Sequence, residues 1–262
     1  MRKRALYLSP HLDDAALSCG GLIHQQVLGG TEVLVLTIFA GAPRRGDLSE
    51  FVAQMQARWG NDPSPVARRR EEDRRAMDLL GAECLHLDYP DAIYRGHGSS
   101  FLYHTDEELF GSLHPADGDL QSEVAAAIFA VTSSPHSIVY APLAVGNHVD
   151  HQLVRNALLA LHARLSDVVF YEDYPYVDRP GALTSTLEAL RTRVWESGLQ
   201  MFDQACLQTK IEAIAAYQSQ MTTLFGDATA MTLRVREYAR AVSSEEGFAE
   251  RYWRRRRLAQ ST

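Results

Sequence analysis

Short apolar runs alternate with helical stretches up to residue 172, and this alternation limits the fold more than any other feature of the chain. Ala5–Leu8, Glu32–Ala40, Cys84–Tyr89, Ser137–Leu143 and Val168–Glu172 read as strands. The second of these is continuously apolar, the signature of a parallel strand covered on both faces. Between the strands the spacing predicts helices from Asp14 through Leu28, over Val66–Leu80, Leu120–Val131 and Asp150–Leu165, two of them ended by Gly29-Gly30 and Gly81. A β-α rhythm of this kind implies an α/β fold, a doubly wound, mostly parallel sheet with right-handed crossovers and helices on both faces. Beyond Asp173 the pattern is weaker. A strand is expected near Val194–Phe202 and one helix over Asp203–Met221, and the basic stretch Arg251–Arg257 reads as a solvated end. We take 1–262 as a single domain, with 1–172 as its α/β core and 173–262 as an extension completing it.

The first strand stops at Pro10, which cannot donate to a ladder. His11, Asp13 and Asp14 follow at once, and a helix begins. Open α/β sheets bind ligands at such carboxyl-end loops. Two carboxylates and an imidazole here suit a divalent metal and a proton acceptor, although either aspartate could instead cap the helix. A similar loop, Gly146-Asn147-His148-Val149-Asp150-His151, follows the fourth strand. If strands one and four are neighbours, the two loops face each other across the switch point, and His11, Asp14 and His151 can converge on one ion. Two imidazoles and a carboxylate leave positions open for water and substrate, as a catalytic site requires.

Composition narrows the alternatives. A net charge of -7 excludes a general nucleic-acid binder. The three cysteines lie far apart without a C-x-x-C pair, so neither a disulfide framework nor a cysteine zinc site is indicated; all three fall in apolar surroundings and read as cysteines packed as small hydrophobes. The apolar run after the basic N-terminus is too short for a signal peptide, and no stretch approaches membrane-spanning length, so a cytoplasmic location is expected. No G-x-G-x-x-G follows the first strand, which argues against a nucleotide module. A ferrous oxygenase would use the same ligand types, but on a β-sandwich rather than an alternating α/β chain.

Pro10-His11-Leu12-Asp13-Asp14 and His148-Val149-Asp150-His151 resemble the two signature motifs of the LmbE-like, or PIG-L, zinc-dependent N-deacetylases, which read His-Pro-Asp-Asp-Glu and His-Pro-Asp-His. Gly20-Gly21, Arg69-x-Glu71-Glu72, Tyr89-Pro90-Asp91 and Lys210 to Tyr217-x-Ser219-Gln220 extend the resemblance along most of the chain. The resemblance implies a Rossmann-like fold and amide hydrolysis on an N-acetylglucosamine-type sugar conjugate. It implies zinc held by His11, Asp14 and His151, with ferrous iron suited to the same ligands. Asp13 matches the general base, and His148 the group that stabilises the oxyanion or protonates the leaving amine. Asp150 matches a residue that orients a histidine. Arg69 and Asp91 match sugar contacts; read as residues, Arg69 equally pairs with acids on its helix and Asp91 equally forms a turn. The small N-acetylated conjugate is the expected partner, with the oligomeric state, a homo-oligomer included, left open. Leu12 and Val149 replace prolines of the pattern, Ala15 replaces its glutamate, and the tyrosine some members carry before the second motif is absent. Ala15 keeps one alternative open, a catalytically inactive carbohydrate-binding member of the same fold. The loops Arg44–Pro65 and Ala92–Asp119 are the expected rim; His97, His104 and His114 within the second lack ligand spacing.

Overall fold

The computed structural model describes residues 3–43, 49–97, 100–132, 137–165, 167–191 and 194–256. Residues 44–48 of the expected rim and Arg257 of the basic stretch lie outside them. In chain order the strands are β1 (Arg4–Ser9), β2 (Glu32–Thr37), β3 (Glu83–His86), β4 (Gly96–His97), β5 (Ser100–Phe101), β6 (Ser137–Pro142), β7 (Asp167–Tyr171), β8 (Trp195–Phe202) and β9 (Phe248–Arg255). The helices are α1 (Asp14–Leu28), α2 (Glu50–Arg58), α3 (Pro65–Leu80), α4 (Asp106–Leu109), α5 (Gly118–Val131), α6 (Val149–Leu161), α7 (Ala182–Ala189), α8 (Gln204–Ala215), α9 (Gln218–Phe225) and α10 (Ala228–Val242).

Seven strands form one sheet in the order β3-β2-β1-β6-β7-β9-β8. The first five are parallel, and β9 and β8 add antiparallel strands at one edge. The order reverses between β1 and β6, the neighbouring pair that the two-loop site requires. Alternation along β1 sends Ala5 and Tyr7 to one face and Leu6 and Leu8 to the other. Ala5 and Tyr7 pack with Ile23 of α1, Met77 of α3 and Ala213 of α8. Leu6 and Leu8 pack with Ile128 of α5 and Leu153 and Leu158 of α6. Helices therefore cover both faces, as the alternation predicts.

Two local expectations change. The stretch 203–221 is two helices, broken at Ala216-Tyr217. At the break the Tyr217 hydroxyl donates to Asp73 Oδ1 (2.6 Å), and the Ser219 N–H to Glu72 Oε1 (3.0 Å), both acceptors lying on α3. The basic stretch is not a solvated end: residues 248–255 form β9, between β7 and β8. Its arginines are matched by carboxylates, Arg251 to Glu172 and Arg254 to Asp167, while Tyr252 is buried. The mid-helix glycines are explained by close approach. A Cβ on Gly21 would lie 2.6 Å from the Phe202 ring, and one on Gly20 would lie 2.9 Å from Lys210 Cγ. Lys210 Nζ meets Glu250 Oε1 of β9 at 2.7 Å in the interior, and Glu250 also accepts from the Gly21 and Leu22 N–H groups. These contacts fasten α1, which opens at the first motif, to the C-terminal strands.

Candidate active site

The loops after β1 and β6 meet at the carboxyl end of the sheet. In the first, Ser9 Oγ donates to the His11 carbonyl (2.7 Å) and accepts from the Ala15 N–H (3.0 Å), fixing the turn. Ala15 is itself buried in the core, so the residue replacing the family glutamate packs rather than leaving a gap. Leu12 and Val149, in place of prolines, are buried as well.

Asp13 occupies the cap position of α1 at φ 137°, yet its side chain makes no cap hydrogen bond. A non-glycine residue there stores roughly 1–3 kcal/mol of strain. The capping explanation for Asp13 therefore fails, and its carboxylate is left facing the cleft. Burial, opposed by Arg69 and reinforced by Asp14, pushes its pKa up to about 7. Arg69 reaches over from α3, donating to the Leu12 carbonyl (3.1 Å), with Nη2 3.7 Å from Asp13 Oδ2.

Asp14 Oδ2 lies 3.3 Å from both His11 Nδ1 and His151 Nε2. His151 Nε2 is buried and has no hydrogen-bond partner. The far side of each imidazole is held by another carboxylate. Asp150 Oδ2 lies 2.8 Å from His11 Nε2, and Asp173 Oδ1 lies 2.6 Å from His151 Nδ1. Asp150 is fixed in turn by the Ala92 N–H (3.0 Å) and by Arg95, whose other nitrogen pairs with Asp117 at 3.0 Å. Burial opposes charge on both rings, but nearby carboxylates overcome it. His11 rises well above its ordinary value through Asp91, Asp14 and Asp150, and His151 rises to about 9 through Asp14 and Asp173. Asp14 falls well below the carboxylate range because His151 and His11 outweigh its burial. The carboxylates that favour the charged form of both rings would equally favour a cation between them. An orphaned buried nitrogen, converging nitrogen and oxygen donors, and carboxylates orienting both rings fit a divalent ion.

His148 caps α6, its Nδ1 accepting the Asp150 N–H at 3.2 Å. Its ring stands edge-on to His11, centroids 4.8 Å apart. Burial and the neighbouring His11 push its pKa well below the usual value, so the ring is neutral. With Nδ1 accepting, the ring proton sits on Nε2. Asp91 joins the group, Oδ2 3.6 Å from His11 Nε2, while also accepting the Ile93 N–H of a turn. Every motif residue therefore reaches this end of the sheet.

Above lies a cleft of about 430 Å³. Trp59 from the first expected rim segment and Phe110 from the second line it, with Arg69 and Asp91. His104 and His114 do not, and the side chain of His97 lies outside the described residues. Tyr176 and Arg179, after β7, and Gln220, on α9, also line it. Sequence reasoning gave these no site role, although Gln220 stands in a stretch that carries the family resemblance, and it missed Asp173 and Arg95. Asp173 also carried a signal: it follows a strand end on the same edge of the sheet as both motifs.

A buried histidine–carboxylate cluster at the switch point of a doubly wound sheet defines a candidate metal-dependent hydrolase. The family described as PIG-L, GlcNAc-PI de-N-acetylase, matches residues 6–162. A 2'-N-acetylparomamine deacetylase from Niallia circulans is 29% identical over 238 residues, covering 86% of this chain and 84% of the relative. A protein of the same description from Streptomyces fradiae is 34% identical over 223 residues, covering 84% and 74%. The zinc-inhibited form of teicoplanin deacetylase Orf2 superposes with a TM-score of 0.84 at 30% identity, covering 98% of this chain and 100% of that one. The chain belongs to the PIG-L, or LmbE-like, family, and it is an N-deacetylase. Among the described residues no helix is long and apolar enough to cross a membrane.

Proposed function

We propose that this chain removes the N-acetyl group from an N-acetylglucosamine-type sugar carried on a larger conjugate, using zinc held by His11, Asp14 and His151. The carrying observation is the approach of His11 Nδ1 and His151 Nε2 to Asp14 Oδ2, with His151 Nε2 otherwise unpartnered, at the foot of an open cleft. The curated relatives, both named as deacetylases of an N-acetylated sugar, support the substrate class. We read the whole chain, 1–262, as one catalytic domain, because Tyr176 and Gln220 of the C-terminal part line the same cleft as the motifs.

A bound divalent ion supplies Lewis acidity toward the acetyl carbonyl and lowers the pKa of water. Asp13 takes the proton of the attacking water, a role open to it because its carboxylate neither caps α1 nor lies between the two imidazoles. As negative charge grows on the former carbonyl oxygen, His148 donates from Nε2, the proton position that the Asp150 N–H enforces. The carbon–nitrogen bond then breaks, Asp13 returns its proton to the leaving amine, and acetate departs. Asp150 and Asp173 keep the two imidazoles aimed, and Arg69 and Asp91 face the sugar hydroxyls.

The test is acetate and free-amine release by zinc-loaded protein over N-acetylated amino sugars bearing different aglycones, with aminoglycoside and glycopeptide conjugates included. Release from at least one conjugate is expected. Binding of these sugars with no release from any of them would instead support the inactive carbohydrate-binding reading.

A further inference from the structure

Cys84 packs against the core as expected but is less buried than the other two cysteines. Cys19 and Cys206 are buried, 0% and 2% exposed. Cys84 is half-buried on β3, the edge strand of the sheet. Strand alternation puts Cys84 and His86 on the same face. That face is covered by α3, which carries Asp73 one turn before Met77. Cys84, His86 and Asp73 each offer a ligand atom within 4.8 Å of the other two. His86 Nε2 lies 2.7 Å from Asp73 Oδ2, and the Tyr217 hydroxyl donates to Asp73 Oδ1 at 2.6 Å. None of the three belongs to the cluster around His11 and His151.

We propose that Asp73, Cys84 and His86 form a second metal site, selective for a borderline divalent ion such as zinc. Thiolate, imidazole and carboxylate are the zinc donor types, and a tetrahedral ion with bonds of about 2.0–2.3 Å sets its donors roughly 3.3–3.8 Å apart. Small side-chain adjustments bring this trio to that spacing. The ion replaces the proton shared between His86 Nε2 and Asp73 Oδ2. That proton moves to His86 Nδ1, a change of tautomer, and the Cys84 thiol proton leaves to solvent as sulfur becomes a thiolate. No electron is transferred. Burial and Asp73 raise the free thiol's pKa to about 11, so uptake strengthens with pH. Water completes the coordination, entering from the open edge of the sheet. Occupancy ties α3 to β3, one helical turn from Arg69, which lines the cleft.

Cobalt(II) distinguishes this site from the first, because only a cysteine ligand gives a thiolate-to-cobalt charge-transfer band in the near ultraviolet. Full-length protein stripped with a chelator is titrated with cobalt(II) alone. The expected result is a thiolate band that survives His151→Ala and disappears in Cys84→Ser, with one fewer equivalent bound in Cys84→Ser. Absence of the band in the wild-type protein, or its persistence in Cys84→Ser, would overturn the proposal. If Cys84→Ser does not fold, His86→Gln takes its place: a weakened band supports the site, and an unchanged band refutes it.

Discussion

Asp173→Asn probes the one orienting group that neither motif contains. Asp173 is 1% exposed and holds two partners, the His151 ring through Oδ1 (2.6 Å) and the Val145 N–H through Oδ2 (2.8 Å). Asparagine keeps the shape, and its carbonyl oxygen retains the Val145 N–H. Its amide nitrogen then faces His151 Nδ1, which must become an acceptor. The ring proton moves to Nε2, the atom proposed to bind zinc. Loss of a hydrogen bond to a charged group is worth about 1.5–3 kcal/mol. At about 1.4 kcal/mol per factor of ten, zinc affinity should fall roughly 10–100-fold. The assay is competition with a chelator of known affinity, alongside a thermal melt to confirm folding and turnover at saturating zinc. Turnover at saturating zinc should recover more than affinity does. A folded Asp173→Asn protein with unchanged zinc affinity would refute the assignment of His151 Nε2 as a ligand.

Other consequences are checked more simply. Gly21→Ala drives a methyl group into the Phe202 ring, 2.6 Å away, and overpacking of this kind costs about 1–3 kcal/mol, read as a lowered Tm. Lys210→Met leaves Glu250 buried without its cation and should cost about 3–5 kcal/mol in denaturant unfolding; adding Glu250→Gln should restore part of the loss, and an unaffected single variant would contradict the pairing. Asp13 must be ionised to act as a base. Since burial pushes it up to about 7 in the metal-free chain and a nearby dication favours the anion, the acid limb of kcat/KM should lie below pH 7 and vanish in the residual activity of Asp13→Asn. A limb unchanged by that substitution would assign the base elsewhere.

The α/β core was readable because buried parallel strands are continuous apolar runs whose lengths differ from those of helices. The motif residues were readable because each set lies within one short loop, leaving only the adjacency of β1 and β6 to be supplied by the fold. The C-terminal part was less legible. In β9, arginines that meet Glu172 and Asp167 across the sheet look in sequence like a solvated basic tail. The break between α8 and α9 lacks glycine or proline, since it is set by the hydrogen bonds of Tyr217 and Ser219 to α3. Tyr176 and Arg179 reach the cleft from a segment with no local pattern, and Arg95 reaches Asp150 across 55 residues of chain. Only packing brings such residues together.

Metal content measured alongside turnover for Asp13→Asn and Asp14→Asn tests the proposed division of labour most directly. The adjacent carboxylates are chemically alike and differ in direction: Asp14 lies between the two imidazoles, and Asp13 lies beside Arg69. Asp13→Asn should keep its zinc and lose about 10²–10⁴-fold in turnover, the usual worth of a positioned proton acceptor. Asp14→Asn should lose zinc. Zinc lost from Asp13→Asn and retained by Asp14→Asn would exchange the two roles, and full activity in both variants would contradict the proposed hydrolytic site altogether.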